Sequence, residues 1–357
     1  QASDYTSVGG LVGQNGGETN DFSEILWSFN TGSVLGGTNV GGLVGSNLEG
    51  TMSSFGIVRN AYNLGAVQGS DRVGGFVGLN EGDIRNVYTS AFVDGTTNEG
   101  SFAGEASSGQ IIDSFWNMET STIDGDGVGI GGGTNDIVGI TTAQMRQKAT
   151  FDDNAPIADW DFTSVDTWRI IEGISFPFFD WRFPSGPQVI SGTAYTTIDH
   201  DITVVGGQDI ELVVNGDSLS TTQTGDNGFY IAMVDANSFE LNDALLSYLN
   251  DSTTQANTVV LSDGSLHIVD FDVWGDTVIA RNDDVNVPIH HAVLDQAKGS
   301  IVDADILYDV VDGALNIDSG KDFYTWMDTS YDLTGDLTTL GGGDQYFNGQ
   351  LSVSAPS

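Results

Sequence analysis

The stretch Val40-Gly41-Gly42-Leu43-Val44-Gly45-Ser46-Asn47 decides the fold of this chain, because it recurs. Close copies begin at Val8 and Val73, and a degenerate copy begins at Glu99, so the steps along the chain are 32, 33 and 26 residues. A period in this range is typical of repeat architectures, in which each unit buries its apolar face against its neighbours. The sequence therefore predicts a stack of similar units.

Each copy contains short segments of high β-propensity, separated by glycine and asparagine. In the second copy, segments at 56–63 and 65–69 follow the octapeptide. Three strands per copy predict one coil of a parallel β-solenoid, whose coils stack about 4.8 Å apart and align equivalent residues in rows. The predicted fold class is therefore all-β, with a parallel β-solenoid of repeats over residues 1–183.

The octapeptide supplies the predicted structural residues of the repeat. At a coil corner, its paired glycines serve either a positive φ or the absence of a Cβ. The asparagine that ends the octapeptide suits a turn or a ladder of amides, and contact with a carbohydrate is the alternative for it. These residues are Gly9, Gly10, Asn15, Gly41, Gly42, Asn47, Gly74, Gly75 and Asn80.

The chain is strongly acidic, with 50 acids against 10 bases and a net charge of −40. Residues 1–187 hold 23 acids and 7 bases, and residues 188–357 hold 27 acids and 3 bases. Binding to nucleic acids or anionic lipids depends on Lys and Arg, so this charge argues against both partners. The acidity either serves solubility in a saline medium or supplies carboxylates that bind Ca²⁺.

The sequence contains no cysteine, which excludes disulfides, thiolate metal sites and cysteine nucleophiles. It also has no apolar run of about 18 residues and no charged-then-apolar leader at Gln1. We therefore expect either a mature chain from which a signal was removed or a segment of a longer protein.

The octapeptide copy that begins at Val8 and the later segment Thr31-Gly32-Ser33-Val34-Leu35-Gly36 resemble the GLUG repeat. That repeat occurs in large secreted bacterial surface proteins of the filamentous-haemagglutinin and autotransporter adhesin type. The resemblance continues through Ser114-Phe115-Trp116-Asn117 and Phe176-Pro177-Phe178-Phe179-Asp180-Trp181, so that it covers residues 8–183. It implies a secreted or cell-surface location and a role in adhesion.

The end of the repeat region predicts a cap. Residues 142–150 are the clearest helix candidate, with Thr142 near the start. The large aromatic residues between Trp160 and Trp181 would close the open end of the solenoid, which is otherwise an unpaired sheet edge. An aromatic platform for a glycan is the alternative interpretation of the same residues.

Pro184-Ser185-Gly186-Pro187 predicts a linker at 184–188. Beyond it, alternating strands joined by turns such as Asn215-Gly216-Asp217 predict a small β-sandwich at 189–263. This module resembles the Ig-like or transthyretin-like modules of bacterial surface proteins. Residues 264–357 predict a further β module, either a second sandwich or more solenoid coils.

The sequence offers no pattern typical of an enzyme. His290 and His291 are adjacent, so a strand would place them on opposite faces instead of around one metal. No Gly-x-Ser-x-Gly elbow occurs, and Gly131-Gly132-Gly133-Thr134 lacks the lysine of a phosphate-binding loop. Paired carboxylates are too abundant to single out one pair.

One acidic loop is a candidate Ca²⁺ site, because alternating aspartates in a glycine-rich loop offer hard oxygen ligands. Its residues are Asp124, Asp126, Asn135 and Asp136, and no other cofactor is expected. Secondary candidates are Asp283, Asp284, Asp303 and Asp305.

Together these features predict a non-enzymatic protein, secreted or on a bacterial cell surface, that acts in adhesion or as a surface stalk. Its partners would be a glycan or protein on a host or neighbouring cell, or copies of itself. One alternative is a subunit that self-assembles into an extracellular filament or sheath by strand addition at the solenoid's open end. A second alternative is an accessory region of a giant secreted protease or glycanase.

Overall fold

The computed structural model describes residues 6–16, 22–50, 55–121, 123, 125, 127–131, 134–154, 160–164, 167–199, 202–282, 287–327 and 329–353. The chain is mostly β-structure with short helices and parallel sheets, which confirms the all-β prediction. It divides into two compact units, unit 1 (Gln1–Pro184) and unit 2 (Ser185–Ser357). The division lies at the start of the predicted linker 184–188.

The repeat region of unit 1 consists of short strands. In chain order they are β1 Thr6–Gly9, β2 Val12–Asn15, β3 Ser23–Asn30, β4 Val34–Leu35, β5 Thr38–Gly41, β6 Val44–Asn47, β7 Gly56–Asn63, β8 Val67–Gln68, β9 Asp71–Gly74, β10 Val77–Asn80, β11 Asp83–Thr89, β12 Val93–Asp94, β13 Thr97–Gly100, β14 Ala103–Ala106, β15 Gln110–Asn117, β16 Val128–Gly131 and β17 Thr134–Ile140.

Successive copies of the repeat lie on one another in four parallel sheets. The strand orders are β1-β5-β9-β13, β2-β6-β10-β14-β16, β3-β7-β11-β15-β17 and β4-β8-β12. The register keeps equivalent residues opposite each other, as in the row Val8, Val40 and Val73. Among the described residues a copy contributes four strands instead of the expected three, because the octapeptide spans two: β5 ends at Gly41 and β6 begins at Val44.

Three glycines of the octapeptide let backbones approach more closely than side chains would permit. A Cβ on Gly41 would lie 2.0 Å from the Val44 carbonyl oxygen, and one on Gly42 would lie 2.2 Å from the Gly75 carbonyl oxygen. A Cβ on Gly45 would lie 2.6 Å from a carbonyl oxygen of the preceding coil. These glycines are not at positive φ. The absence of a Cβ is therefore the reason for glycine here.

Positive φ occurs at other glycines, such as Gly16 and Gly109, and also at non-glycine residues in two rows that follow the stacking. One row crosses the sheet that begins with β1, and the other kinks β3, β7, β11 and β15 near their middles. Asparagine and aspartate tolerate this left-handed conformation better than most residues. The rows are Ser7, Asn39, Arg72 and Asn98 (φ 56°, 54°, 52° and 53°), and Trp27, Asn60, Asn86 and Asp113 (φ 52°, 51°, 54° and 48°).

Apolar side chains fill the space enclosed by the parallel sheets in rows of similar residues. Phe76 and Phe102, for example, stack with their ring centroids 5.4 Å apart. Each copy of the repeat therefore buries its apolar face against the neighbouring copies. The main cluster is Ile25, Leu43, Val44, Val58, Ala61, Phe76, Val77, Ile84, Val87, Phe102, Ala103, Ala106, Ile111 and Trp116, and a second is Val34, Val40, Val67, Val73, Ala91 and Val93.

After the repeats come α1 (Thr142–Met145), α2 (Lys148–Asn154), β18 (Trp168–Arg169) and β19 (Phe178–Phe179). The predicted helix at 142–150 is thus two short helices. Helix α1 begins with a capping box, in which Thr141 Oγ1 accepts from the Gln144 amide at 3.1 Å and the Thr141 amide donates to Gln144 Oε1 at 2.9 Å.

The aromatic residues of this segment cover one face of the sheet β3-β7-β11-β15-β17, whereas the sequence predicted that they close the end of a solenoid. Phe29, Tyr62 and Tyr88 form an outward row, with ring centroids 5.2 Å apart between neighbours. Trp168 and Phe179 pack on Tyr62 at 6.1 and 5.3 Å. A row of stacked aromatics makes a large apolar flank, and the segment removes it from water.

Unit 2 contains one helix in its described part, α3 (His291–Lys298). Its strands are β20 Gln188–Tyr195, β21 Asp209–Val214, β22 Asp217–Gln223, β23 Phe229–Val234, β24 Ala244–Asn250, β25 Asn257–Leu261, β26 His267–Ile268, β27 Val273–Trp274, β28 Thr277–Asn282, β29 Ile289–His290, β30 Tyr308–Val311, β31 Ala314–Ile317, β32 Asp322–Thr325, β33 Tyr331–Leu333, β34 Leu337–Thr339, β35 Gln345–Phe347 and β36 Leu351–Val353.

A seven-stranded sheet, β22-β21-β24-β25-β28-β32-β35, organises unit 2. It is antiparallel from β22 to β25 and parallel from β25 to β35. Strand β25 pairs directly with β28, so the boundary expected between 189–263 and 264–357 lies inside one continuous sheet. The structure therefore has one unit where two modules were predicted.

Apolar clusters lie on both faces of this sheet, because successive strand residues point to opposite faces. On one face, Leu245 and Val260 pack against the smaller sheet β23-β20-β26, which β27 extends. On the other face, Leu246 and Val259 pack against helix α3 and the small sheets β29-β33-β36 and β30-β31-β34. On the first face, the smaller sheet leaves the side chains of β32 and β35 partly exposed.

Candidate functional site

The asparagines of the octapeptide form a buried ladder. Asn15 Nδ2 donates to Asn47 Oδ1 at 2.9 Å, Asn47 Nδ2 donates to Asn80 Oδ1 at 2.9 Å, and Asn80 Nδ2 donates to the Gly82 carbonyl at 3.1 Å. All three side chains are buried. They hold successive coils in register, and their burial leaves them no access to a carbohydrate.

The predicted Ca²⁺ site is described only in part. Asp124 and Asp126 lie outside the described residues, as do Asp283 and Asp284. Asn135 and Asp136 are consecutive residues of β17, so their side chains point to opposite faces and do not converge on one ion.

Asp303 and Asp305 are engaged in hydrogen bonds that fix a loop. Tyr248 donates its hydroxyl to Asp303 Oδ2 at 3.1 Å, and the Asp251 amide donates to Asp305 Oδ2 at 2.7 Å. Within the part of the chain that the structure describes, no three His, Cys, Asp or Glu side chains are grouped to hold a metal.

The two adjacent histidines are structural elements of unit 2. His290 ends β29, and His291 begins α3. His291 is buried, and its Nδ1 lies 3.0 Å from the Gly313 carbonyl oxygen. The two side chains therefore differ in burial: His291 is buried and His290 is partly exposed.

The aromatic residues between Trp160 and Trp181, for which a glycan platform was the alternative prediction, are mostly buried. Trp160, Trp168 and Phe179 are buried, and only the Trp181 end of this set is well exposed, at 46 %. The indole of Trp160 donates to the Asp113 carbonyl at 2.9 Å, as expected of a docked cap residue. This segment stabilises unit 1 and does not offer a flat binding surface.

An exposed aromatic surface lies instead on unit 2. Tyr324 and Tyr346 face each other across the parallel strands β32 and β35, with ring centroids 5.7 Å apart and an interplanar angle of 41°. Trp326 comes two residues after Tyr324, and its amide continues the ladder by donating to the Ala280 carbonyl at 2.9 Å. The strand period of two places all three on one face. We call Tyr324, Trp326 and Tyr346 the aromatic platform.

A buried aromatic stack supports one end of the platform. The Trp326 ring lies 4.7 Å from the ring of Trp274, and Trp274 stacks on Tyr195 at 6.0 Å. Trp274 is buried and sits opposite Tyr195 in the pairing of β20 with β27. This stack fixes the position of Trp326 while leaving it half-exposed. At the other end, Tyr346 is 44 % exposed.

Polar groups border the tyrosines of the platform. The Tyr346 hydroxyl donates to Asp344 Oδ2 at 3.1 Å, and this bond to a carboxylate raises the pKa of Tyr346. The Asp344 amide in turn donates to Asp322 Oδ1 at 2.8 Å. On the other side, the Asn348 side-chain amide donates to the Tyr324 hydroxyl. Exposed rings with carboxylate and amide groups at the rim can bind a ligand that has both apolar and hydroxyl surfaces.

This aromatic surface was not predicted from the sequence, although the sequence contains a pattern that indicates it. Two segments share a pattern in which a tyrosine comes two residues before a large aromatic or polar residue: Tyr324-Thr325-Trp326 and Tyr346-Phe347-Asn348. The two tyrosines are 22 positions apart. That spacing matches the step between β32 and β35, where Phe323 lies opposite Gln345. Their exposure, however, depends on where the smaller sheet ends, which no local pattern indicates.

No described helix is long and apolar enough to span a membrane. No protein-family model matches the chain, and comparisons with curated proteins and with solved structures find no similar protein.

Proposed function

We propose that the chain is a non-enzymatic adhesive region of a secreted bacterial surface protein, with unit 1 as the stalk and unit 2 as the binding part. The observation that carries this proposal is the aromatic platform, Tyr324, Trp326 and Tyr346, on an exposed sheet face. Exposed aromatic groups rimmed by polar residues are typical of interaction sites on soluble proteins.

The stacking in unit 1 supports the finer description as a parallel β-solenoid of GLUG-like repeats. Its rows of identical residues and its buried amide ladder make a stiff object, as a stalk requires. In unit 2, the two packed layers of β20 to β25 support an Ig-like sandwich. The parallel strands β28, β32 and β35 support additional coils attached to it.

Self-assembly is the second candidate function, and one observation favours it. Leu11 is 48 % exposed beside β1 and β2, whereas Leu43, the equivalent residue of the next copy, is fully buried. Another repeat stacked on β1 to β4, from the same polypeptide or from a second copy, would bury Leu11 in the same way. Light scattering and electron microscopy of the purified chain distinguish a monomer from ordered fibres.

The adhesion proposal is tested with microspheres coated with the full chain and incubated with bacterial and epithelial cells. We expect attachment well above that of albumin-coated spheres, and a severalfold decrease for Tyr346→Ala. Phe22→Ala, which removes a ring that is 62 % exposed in unit 1, is the matched control and should attach normally. Attachment no better than albumin on every cell type would overturn the proposal.

A further inference from the structure

We infer that the aromatic platform of unit 2 binds a neutral glycan, with a pyranose ring against Tyr346 and Tyr324 and its hydroxyls at Asp344 and Asn348. This inference rests on the proposed adhesive function and names the class of ligand. It is carried by the arrangement of rings, by the polar rim and by the charges around them.

The rings form a surface and not a cage. Tyr324 and Tyr346 come from neighbouring strands of one sheet, and Trp326 follows on the same face. Their partial exposure on one side suits the flat C–H face of a sugar ring, which is apolar while its edge carries hydroxyls. A quaternary ammonium or lysine head group would instead need rings that surround it.

The rim groups match the edge of a sugar. Asp344 accepts from the Tyr346 hydroxyl through Oδ2, and its second carboxylate oxygen can accept from a ligand hydroxyl. Asn348 donates one amide hydrogen to Tyr324, which leaves the amide oxygen and the second hydrogen to pair with vicinal hydroxyls. Both residues are exposed beside the tyrosines.

The charges disfavour acidic sugars. Residues 188–357 contain 27 acids and only Arg281, Lys298 and Lys321 as bases. Lys298 pairs with Asp309 at 3.0 Å, Lys321 pairs with Asp276, and Arg281 donates to the Val269 carbonyl at 3.1 Å. A uronate or a sialic acid would therefore meet the carboxylates of Asp322 and Asp344 at the rim, which disfavours an acidic sugar.

The experiment is calorimetric titration of the full chain with cellohexaose, laminarihexaose, mannohexaose and chitohexaose, and with hyaluronan hexamer and octalysine as charged probes. We expect binding of at least one neutral hexasaccharide that does not weaken between low and high salt, because no charge pair is involved. Tyr346→Ala should weaken it about tenfold through loss of one aromatic contact. Phe22→Ala should leave it unchanged.

Three results would overturn the inference: no binding of any neutral glycan, equal affinity in Tyr346→Ala, or binding of octalysine alone with a steep salt dependence. Tyr346→Phe keeps the ring and removes only the hydroxyl, so it should retain most of the affinity. This variant keeps the inference testable if the alanine variant does not fold. If cells still bind the chain after enzymatic removal of surface glycans, the adhesive function stands and the glycan assignment fails. If the chain binds hexasaccharides but no cell, the adhesive function fails.

Discussion

The two units build parallel β-structure in different ways. In unit 1, four strands per copy recur in register, so that Val40 lies on Val8 and Val73 lies on Val40. In unit 2, the steps are unequal: Thr277 lies opposite Asp322, 45 residues later, and Phe323 lies opposite Gln345, 22 residues later. Unit 1 repeats one arrangement of four strands, whereas unit 2 adds dissimilar parallel strands to an antiparallel core.

This difference decides where each unit can carry a function. In unit 1, the asparagines and glycines of the octapeptide are used for coil contacts, and the aromatic row is covered by its own cap. In unit 2, the seven-stranded sheet extends past the smaller sheet that covers it, which leaves Tyr324 and Tyr346 accessible. Strict repetition thus serves stability, and the irregular extension creates a surface.

The largest effect should come from Gly41→Val, which prevents the close stacking of repeats in unit 1. The new side chain would overlap the Val44 carbonyl at 2.0 Å and the Gly78 amide at 2.6 Å, so the backbone must shift. We expect loss of about 4 kcal/mol or more, or complete unfolding of unit 1. In calorimetry, the transition of unit 1 should disappear while that of unit 2 remains.

Gly32→Ala is the matched control for that variant. A Cβ at Gly32 meets only Asn30 Oδ1, at an ordinary 3.7 Å, so this substitution should change the transition little. Equal effects at the two glycines would show that the close approach of coils does not explain the octapeptide.

Alkaline pH should destabilise unit 2 more than unit 1, because the two units bury different numbers of tyrosines. Burial raises the pKa of Tyr62 and Tyr88 in unit 1, and of Tyr230, Tyr308 and Tyr331 in unit 2. The unfolded chain ionises these groups near pH 10 and the folded chain does not, so their stabilisation is complete below pH 10 and is lost above it.

Each of these tyrosines should lower the free energy of unfolding by about 1.4 kcal/mol per pH unit above 10. Unit 2 should therefore lose stability more steeply than unit 1, which urea unfolding at pH 9, 10 and 11 would measure. Parallel loss in both units, or no loss, would contradict the assigned burial. Tyr308→Phe should reduce the slope in unit 2 alone.

Asn47→Ala tests the amide ladder of unit 1. Asn47 is buried, accepts from Asn15 and donates to Asn80, so its removal breaks two buried hydrogen bonds and leaves Asn80 Oδ1 without its donor. We expect a loss of about 2–4 kcal/mol in urea unfolding of unit 1. Asn135→Ala, at an exposed asparagine of the same unit, is the control and should change stability by less than about 0.5 kcal/mol.

The smallest effect should come from the ion pair on the surface of unit 1. Arg72 Nε lies 2.6 Å from the Glu105 carboxylate, and both side chains are partly exposed. Glu105→Gln should cost less than about 1 kcal/mol, and the cost should shrink further at high salt. A loss of several kcal/mol at low salt that shrinks at high salt would show that the register of unit 1 depends on charge and not on its amides.

Much of unit 1 could be predicted from the sequence, because its rows repeat residues as well as geometry. The octapeptide gave the period, the stacking and the asparagine row. The fourth strand was not predicted, because Gly42 and Leu43 join two strands of four residues within one apolar motif. The structural role of Gly45 was not predicted either, although glycine recurs at that position in each copy.

Unit 2 and its platform could not be predicted in the same way. The pairing of β25 with β28 joins dissimilar segments, so no repeat marks it. Tyr324 and Trp326 are partly exposed because the smaller sheet does not extend over that end of the face, a consequence of tertiary packing. A pattern of alternating residues indicates a strand, but not which face another sheet will cover.

In-register stacking is the central claim, and disulfide trapping tests it most directly, since the chain has no cysteine of its own. Leu35 lies opposite Gln68, and Gln68 lies opposite Asp94, on exposed positions of β4, β8 and β12. Leu35→Cys with Gln68→Cys, and Gln68→Cys with Asp94→Cys, should form intramolecular disulfides rapidly, because neighbouring rungs are about 4.8 Å apart. Leu35→Cys with Asp94→Cys, two rungs apart, should not. Equal cross-linking of all three pairs, or of none, would contradict the stacked register.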